Sequence, residues 1–169
     1  NREFRLTAAD LVPHITDKTK AVILCYPNNP TGAVMEKKDL EEIAQVLQKH
    51  RLLVITDEIY SELVYGIKHT SIASLPNMYE RTLVINGFSK AFAMTGWRLG
   101  YAAGPKDLIQ AMTKIHQYTI MSAPTISQYA AIEALRNGLP EVERMVAEYN
   151  QRRRVLVHGF RQIGLSCFE

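Results

Sequence analysis

Five kinds of reactive side chain recur at the ends of apolar runs in this 169-residue chain. Amides stand in Pro27-Asn28-Asn29-Pro30-Thr31-Gly32, and a carboxylate and a phenol in Asp57-Glu58-Ile59-Tyr60. An amine and a guanidinium, Lys90 and Arg98, lie in one stretch from Asn86 to Tyr101. Each has an ordinary use as well. The first segment is turn chemistry, Asp57 can cap a short helix over Glu58 to Leu63, and Lys90 can be a surface lysine. Together they are less ordinary. An amine, a carboxylate and phosphate-binding groups are the donor set that an aldehyde cofactor built on a pyridine ring requires.

The elements that must position these groups follow from periodicity. Ala21-Val22-Ile23-Leu24-Cys25-Tyr26 reads as a strand buried on both faces. Leu40, Ile43, Ala44 and Leu47 recur at helical spacing among charged residues and predict an amphipathic helix. Leu52 to Thr56, ending at Asp57, and Thr82 to Asn86 read as two further strands, and Leu99 to Gly104 as a fourth of unreadable direction. Strand, helix, strand predicts an α/β fold with a mostly parallel sheet, whose ligands gather at the carboxyl ends of the strands. Helices are expected from about Pro105 with Leu108, Ile109, Met112 and Ile115 on one face, from Pro124 to Leu135, and from Pro140 for about twenty residues, long enough at 1.5 Å per residue to leave one domain for another. Gly164 to Glu169 reads as the start of another strand.

Composition narrows the function classes. With 47% hydrophobic and 22% charged residues the chain is an ordinary globular one. Its 20 basic and 17 acidic residues are intermixed, so no nucleic-acid partner is expected. No apolar run approaches the roughly 20 residues of a membrane helix, and no signal peptide is visible, so a cytoplasmic protein without a membrane partner is expected. Cys25 and Cys167 lack ligand spacing or basic neighbours and read as small hydrophobes in a reduced compartment. His14, His50, His69, His116 and His158 show no HxH or HExxH pattern, so no metal is expected. Arg152 to Arg154 point different ways on a helix and read as a solvated face with intersubunit contacts.

Tyr26 to Gly32, Asp57 to Tyr60 and Asn86-Gly87-Phe88-Ser89-Lys90-Ala91-Phe92-Ala93-Met94-Thr95-Gly96-Trp97-Arg98-Leu99-Gly100-Tyr101 resemble, in order and separation, the class I/II pyridoxal-phosphate aminotransferases of fold type I. The resemblance runs from about Phe4 to the last residue. It implies pyridoxal 5'-phosphate as cofactor, with Lys90 as the Schiff-base lysine that also shuttles a proton between substrate α-carbon and cofactor. It makes Asp57 the partner of the pyridine nitrogen, and Asn29 and Tyr60 the hydrogen-bonding partners of the ring's 3-oxygen. Arg98 and Ser89 become phosphate ligands. Many relatives carry a second phosphate-binding serine three positions before the lysine, where this chain has Gly87.

The same resemblance implies part of a three-layer large domain over residues 1–138, with the interdomain helix and the start of a small domain over 139–169. It implies a homodimeric parent that exchanges an amino group between an amino acid and a 2-oxo acid. Complete members are more than twice as long, and their phosphate-binding small-residue loop, ring-stacking aromatic and carboxylate-binding arginine have no counterpart here, so the chain alone is expected to be inactive. Dicarboxylate-specific relatives often carry an arginine where this chain has His116-Gln117-Tyr118-Thr119, which tilts the expectation toward aromatic or broad substrates. Two alternatives stay open on the residues: a β-elimination lyase using the same cofactor, and an aminotransferase-like sensory domain of a transcription regulator.

Overall fold

The computed structural model describes residues 3–168. In chain order the elements are α1 (Ala8–Leu11), β1 (Ala21–Cys25), α2 (Lys37–Lys49), β2 (Leu53–Asp57), β3 (Thr82–Gly87), β4 (Gly100–Ala103), α3 (Lys106–Thr119), α4 (Thr125–Asn137) and α5 (Leu139–Gln162). The strands form one sheet in the order β1-β2-β3-β4. β1, β2 and β3 are parallel and β4 runs antiparallel to β3, with Val84 opposite Ala103 and Gly87 opposite Gly100. The fold is thus α/β, a mostly parallel sheet flanked by helices, as the strand and helix periodicities predict.

One face of the sheet is sealed by α2. Leu40, Ile43, Ala44 and Leu47, the four residues picked out by spacing, are the buried residues of that helix. They pack with Leu24, Val54, Ile72 and Met78 into the main core. Asp39 Oδ2 accepts from the Glu36 backbone N–H at 3.1 Å at the start of α2, satisfying a donor that the first helical turn leaves open. Arg5 bridges Glu36 and Asp39 at 3.3 and 3.6 Å, which ties the N-terminal segment to that helix.

The structure corrects three expectations. β1 is not buried on both faces: it is an edge strand with a single neighbour, and Ile23, on the face away from α2, is 72% exposed. Residues 58–63 form no helix; overlapping turns from Ser61 N–H to Glu58 O and from Leu63 N–H to Tyr60 O replace it. α3 forms as expected, and Ile115 on its apolar face is 66% exposed. Gly164 opens no strand among the described residues. It caps α5 instead: with φ +82° it occupies the left-handed region, and Leu165 N–H reaches Phe160 O at 2.9 Å while Gly164 N–H reaches Arg161 O at 3.1 Å. That pair of bonds is a Schellman cap, for which glycine is the preferred residue.

A smaller cluster holds the other half of the molecule. Phe88 and Met94, from the segment after β3, bury against Ala131 of α4. α4 passes to α5 through Gly138 alone, and α5 is 24 residues long, about 36 Å. Among the described residues no helix is long and apolar enough to cross a membrane.

The two kinds of apolar position should separate in a stability measurement. Leu47 is fully buried, so Leu47→Ala is expected to lower unfolding free energy by about 2–5 kcal/mol in urea titration. Ile115→Ala should change it by no more than about 0.5 kcal/mol.

Candidate functional site

The parallel register aligns the ends of three strands. Cys25 lies opposite Asp57, and Asp57 opposite Ile85, so the segments that follow β1, β2 and β3 leave the sheet side by side. Residues about thirty positions apart in sequence thereby meet. Asn29 Nδ2 donates to Tyr60 Oη at 3.2 Å, and Lys90 Nζ lies 5.8 Å from the centroid of the Tyr60 ring. Asp57 is half-buried at the tip of β2, where its Oδ1 accepts from Ile59 N–H at 3.1 Å. The proximity of Asp57 to the end of β1 also shows in Cys25: burial, and next the Asp57 charge, push its thiol above the usual range, partly offset by a backbone hydrogen bond from Asn29. A thiol held protonated is a poor nucleophile.

Lys90, Ser89 and Arg98 sit on the loop between β3 and β4, which is pinned at several points. Phe88 N–H bonds Leu99 O at 3.3 Å and Met94 N–H bonds Phe88 O at 3.2 Å. The Phe88 ring lies against Phe92 and Tyr101, with centroids 5.6 and 6.0 Å away. From α4, Ser127 Oγ donates to Trp97 O at 2.7 Å. These ties hold Ala93 and Arg98 at φ +52° and +53°, a conformation that costs non-glycine residues energy and persists only where the surroundings enforce it. Thr95 Oγ1 donates to Ser89 O at 2.8 Å, and Arg98 Nη1 donates to Thr95 O at 2.9 Å, so one threonine links the serine and the arginine.

Gly87 has a packing reason. A Cβ there would come within 2.9 Å of Gly100 Cα and 3.0 Å of Leu99 O, while a Cβ on Gly100 would meet Asn86 O at 3.1 Å. The backbones of β3 and β4 approach too closely for a serine at position 87, and the serine that many relatives carry there has no room in this arrangement.

Periodicity and motif spacing missed a buried layer behind the site. Glu58, 4% exposed, accepts from Ser71 Oγ at 2.7 Å and Thr56 Oγ1 at 3.3 Å, and His69 Nε2 lies 3.0 Å from its second oxygen. The available signal was alternation: Thr56 and Glu58, two apart, point to the α2 side of the sheet, where an acidic residue needs partners. On the other side of the Asn29–Tyr60 pair an open groove of about 800 Å³ is lined by Asn28, Tyr60, Tyr65, Tyr149 and Arg153 among others. It meets the cluster at Tyr60 and includes neither Asp57 nor Lys90 in its walls. Arg153 stacks over Tyr65 at 5.4 Å. Burial pushes the Tyr65 phenol up, with Arg153 opposing and Tyr149 adding to the shift.

The family model described as aminotransferase class I and II matches residues 1–169. The chain belongs to that family. It is 49% identical over 166 residues to the aspartate aminotransferase of Pyrococcus abyssi and 48% identical over 166 residues to aromatic-amino-acid aminotransferase 2 of Thermococcus litoralis. Each alignment covers 96% of this chain and 43% of the relative, so the chain spans less than half the length of these curated relatives. Among solved structures it superposes on the aromatic aminotransferase from Pyrococcus horikoshii OT3 with a TM-score of 0.93 at 48% identity, over 96% of this chain and 44% of that one. The backbone described above is therefore similar, over nearly its whole length, to that of a solved aminotransferase.

The close glycine pair can be tested by stability. Gly87→Ser is expected to lower the unfolding free energy by about 1–3 kcal/mol, and Gly100→Ala, with its longer contact, by less. Equal urea midpoints for Gly87→Ser and the parent protein would contradict the packing argument.

Proposed function

We propose that this chain is the lysine-bearing part of a pyridoxal-phosphate-dependent aminotransferase, whose full-length form exchanges an amino group between an L-amino acid and a 2-oxo acid. Residues 1–138 belong, in this reading, to a large cofactor-binding domain, and residues 139–169 lead to a smaller one. The observation that carries it is the convergence of Asn29, Tyr60 and Lys90, three residues from three separate loops, beside Asp57. Family membership supplies the chemical context.

The donor set fits the group. When bound, pyridoxal phosphate supplies an aldehyde for an amine and a conjugated ring that accepts the electron pair of the substrate's α-carbon. Lys90 Nζ is the amine that would hold the aldehyde carbon, and it would also carry the proton to and from the substrate's α-carbon. Asp57 accepts from the Ile59 amide through Oδ1, and its carboxylate would keep the ring nitrogen protonated. A protonated ring draws electrons more strongly, which is why a carboxylate is needed there. Tyr60 Oη accepts from Asn29, so its own proton is available to another acceptor; it would hold the ring's 3-oxygen, and the second N–H of Asn29 would serve the same atom. Arg98 uses one N–H on Thr95 and keeps the rest of its planar fork for phosphate oxygens, beside the Ser89 hydroxyl.

The relatives named for aspartate and for aromatic amino acids match almost equally well, so the proposal extends to amino acids as a class. A cytoplasmic homodimer is the assembly proposed for the full-length protein.

Lys90→Ala in the full-length protein should abolish the visible absorption band of lysine-bound cofactor and lower transamination by at least about 10²-fold. Asp57→Asn should keep the band and lower the rate by a similar factor. Retention of the band by Lys90→Ala would remove the central assignment.

A further inference from the structure

Glu58 is the residue between the two arms of the site, and every handle it has is tied. Its N–H donates to Ile85 O at 2.9 Å, which fastens it to β3. Its carbonyl accepts from Ser61 N–H at 2.9 Å, closing the turn that carries Tyr60. Its carboxylate receives Ser71 Oγ, Thr56 Oγ1 and His69 Nε2. The His69 ring nitrogen lies 3.0 Å from the second carboxylate oxygen, within hydrogen-bond reach. The free space beside this network is small, about 10 Å³ against Leu24, Tyr26 and Thr56, room for one water at most.

A buried acid with three polar partners is a poor device for stability, because desolvation offsets most of what the partners return. It is a good device for geometry. Successive side chains alternate across a strand end, so fixing the Glu58 side chain on the α2 side fixes the peptide that turns Asp57 the other way. The turn that starts at Glu58 then sets where Tyr60 stands relative to Asn29 and Lys90.

We propose that Glu58, held by His69 and Ser71, is a positioning residue that keeps Asp57 and Tyr60 aligned for the cofactor. The inference deepens the aminotransferase reading and rests on it for the cofactor. The buried carboxylate touches no reacting atom and acts through the backbone of residues 57–60.

The test uses the full-length protein loaded with pyridoxal phosphate. Glu58→Ala should raise the pH midpoint of the visible band by about one unit, the size of a weakened hydrogen bond to an ionised oxygen. Glu58→Gln, which keeps an acceptor for Ser71, should restore a midpoint close to that of the parent. In a Tyr60→Phe background the Glu58→Ala shift should shrink to the part that acts through Asp57, because the two changes share the Tyr60 interaction. A merely structural role predicts equal shifts in both backgrounds, and that result would overturn the proposal. A second readout needs no cofactor: in the apo protein, Glu58→Ala should speed hydrogen exchange at the Ile59, Ser61 and Leu63 amides about tenfold. Unchanged exchange there would refute the tether. If Glu58→Ala does not fold, His69→Gln combined with Ser71→Ala carries the same expectations. Loss of the band in Lys90→Ala checks the cofactor reading separately, and a protein that shows no band at all would sink that reading while exchange still decides the tether.

Discussion

The parallel register of β1, β2 and β3 is the constraint on which the rest of the site depends. Parallel hydrogen bonding sets Cys25 beside Asp57 and Asp57 beside Ile85, and so the three loops leave the sheet at one level. A slip of one residue in any pair would turn every side chain of that strand to the other face. It would also carry Asp57 away from the Asn29–Tyr60 bond. The register is held by burial on the α2 side, where Leu24, Val54 and Thr56 have no exposed alternative.

Two anchors then divide the work. The α2 core holds β1 and β2, and with them the amide and carboxylate loops. The lysine loop depends on a different and smaller cluster, in which Phe88 and Met94 bury against α4 and Ser127 holds the Trp97 carbonyl. Gly87 and Gly100 let β4 approach β3 closely enough for this loop to begin and end at the same place. The loop is short of regular structure but not short of constraints.

Local charge is arranged to match. Burial, and then the charges of Glu58 and Glu62, push the Tyr101 phenol up from its usual range, and its ring packs on Phe88. Carboxylates on the two sides of the β2 tip have different surroundings: Asp57 accepts from the Ile59 amide through Oδ1, whereas Glu58 accepts from Ser71 and Thr56 and lies against His69.

Much of this was legible in the chain itself. The four apolar positions of α2, the strand endings at Asp57 and near Gly87, and the breaks at Pro124 and Gly138 follow from periodicity and backbone chemistry, which are local. Family resemblance was legible for the same reason, since the motifs are contiguous runs. Tertiary structure alone decided the direction of β4, the exposure of Ile23 on an edge strand, and the use of Gly164 as a helix cap, because strand order and the partner of a C-terminal carbonyl are not properties of a segment. It also decided the role of Glu58. Nothing in a single motif says that His69 and Ser71, more than ten residues on, return to the same carboxylate; that depends on how the chain between β2 and β3 folds back over the sheet. Sequence named the groups able to do chemistry, and long-range packing determined which of them meet.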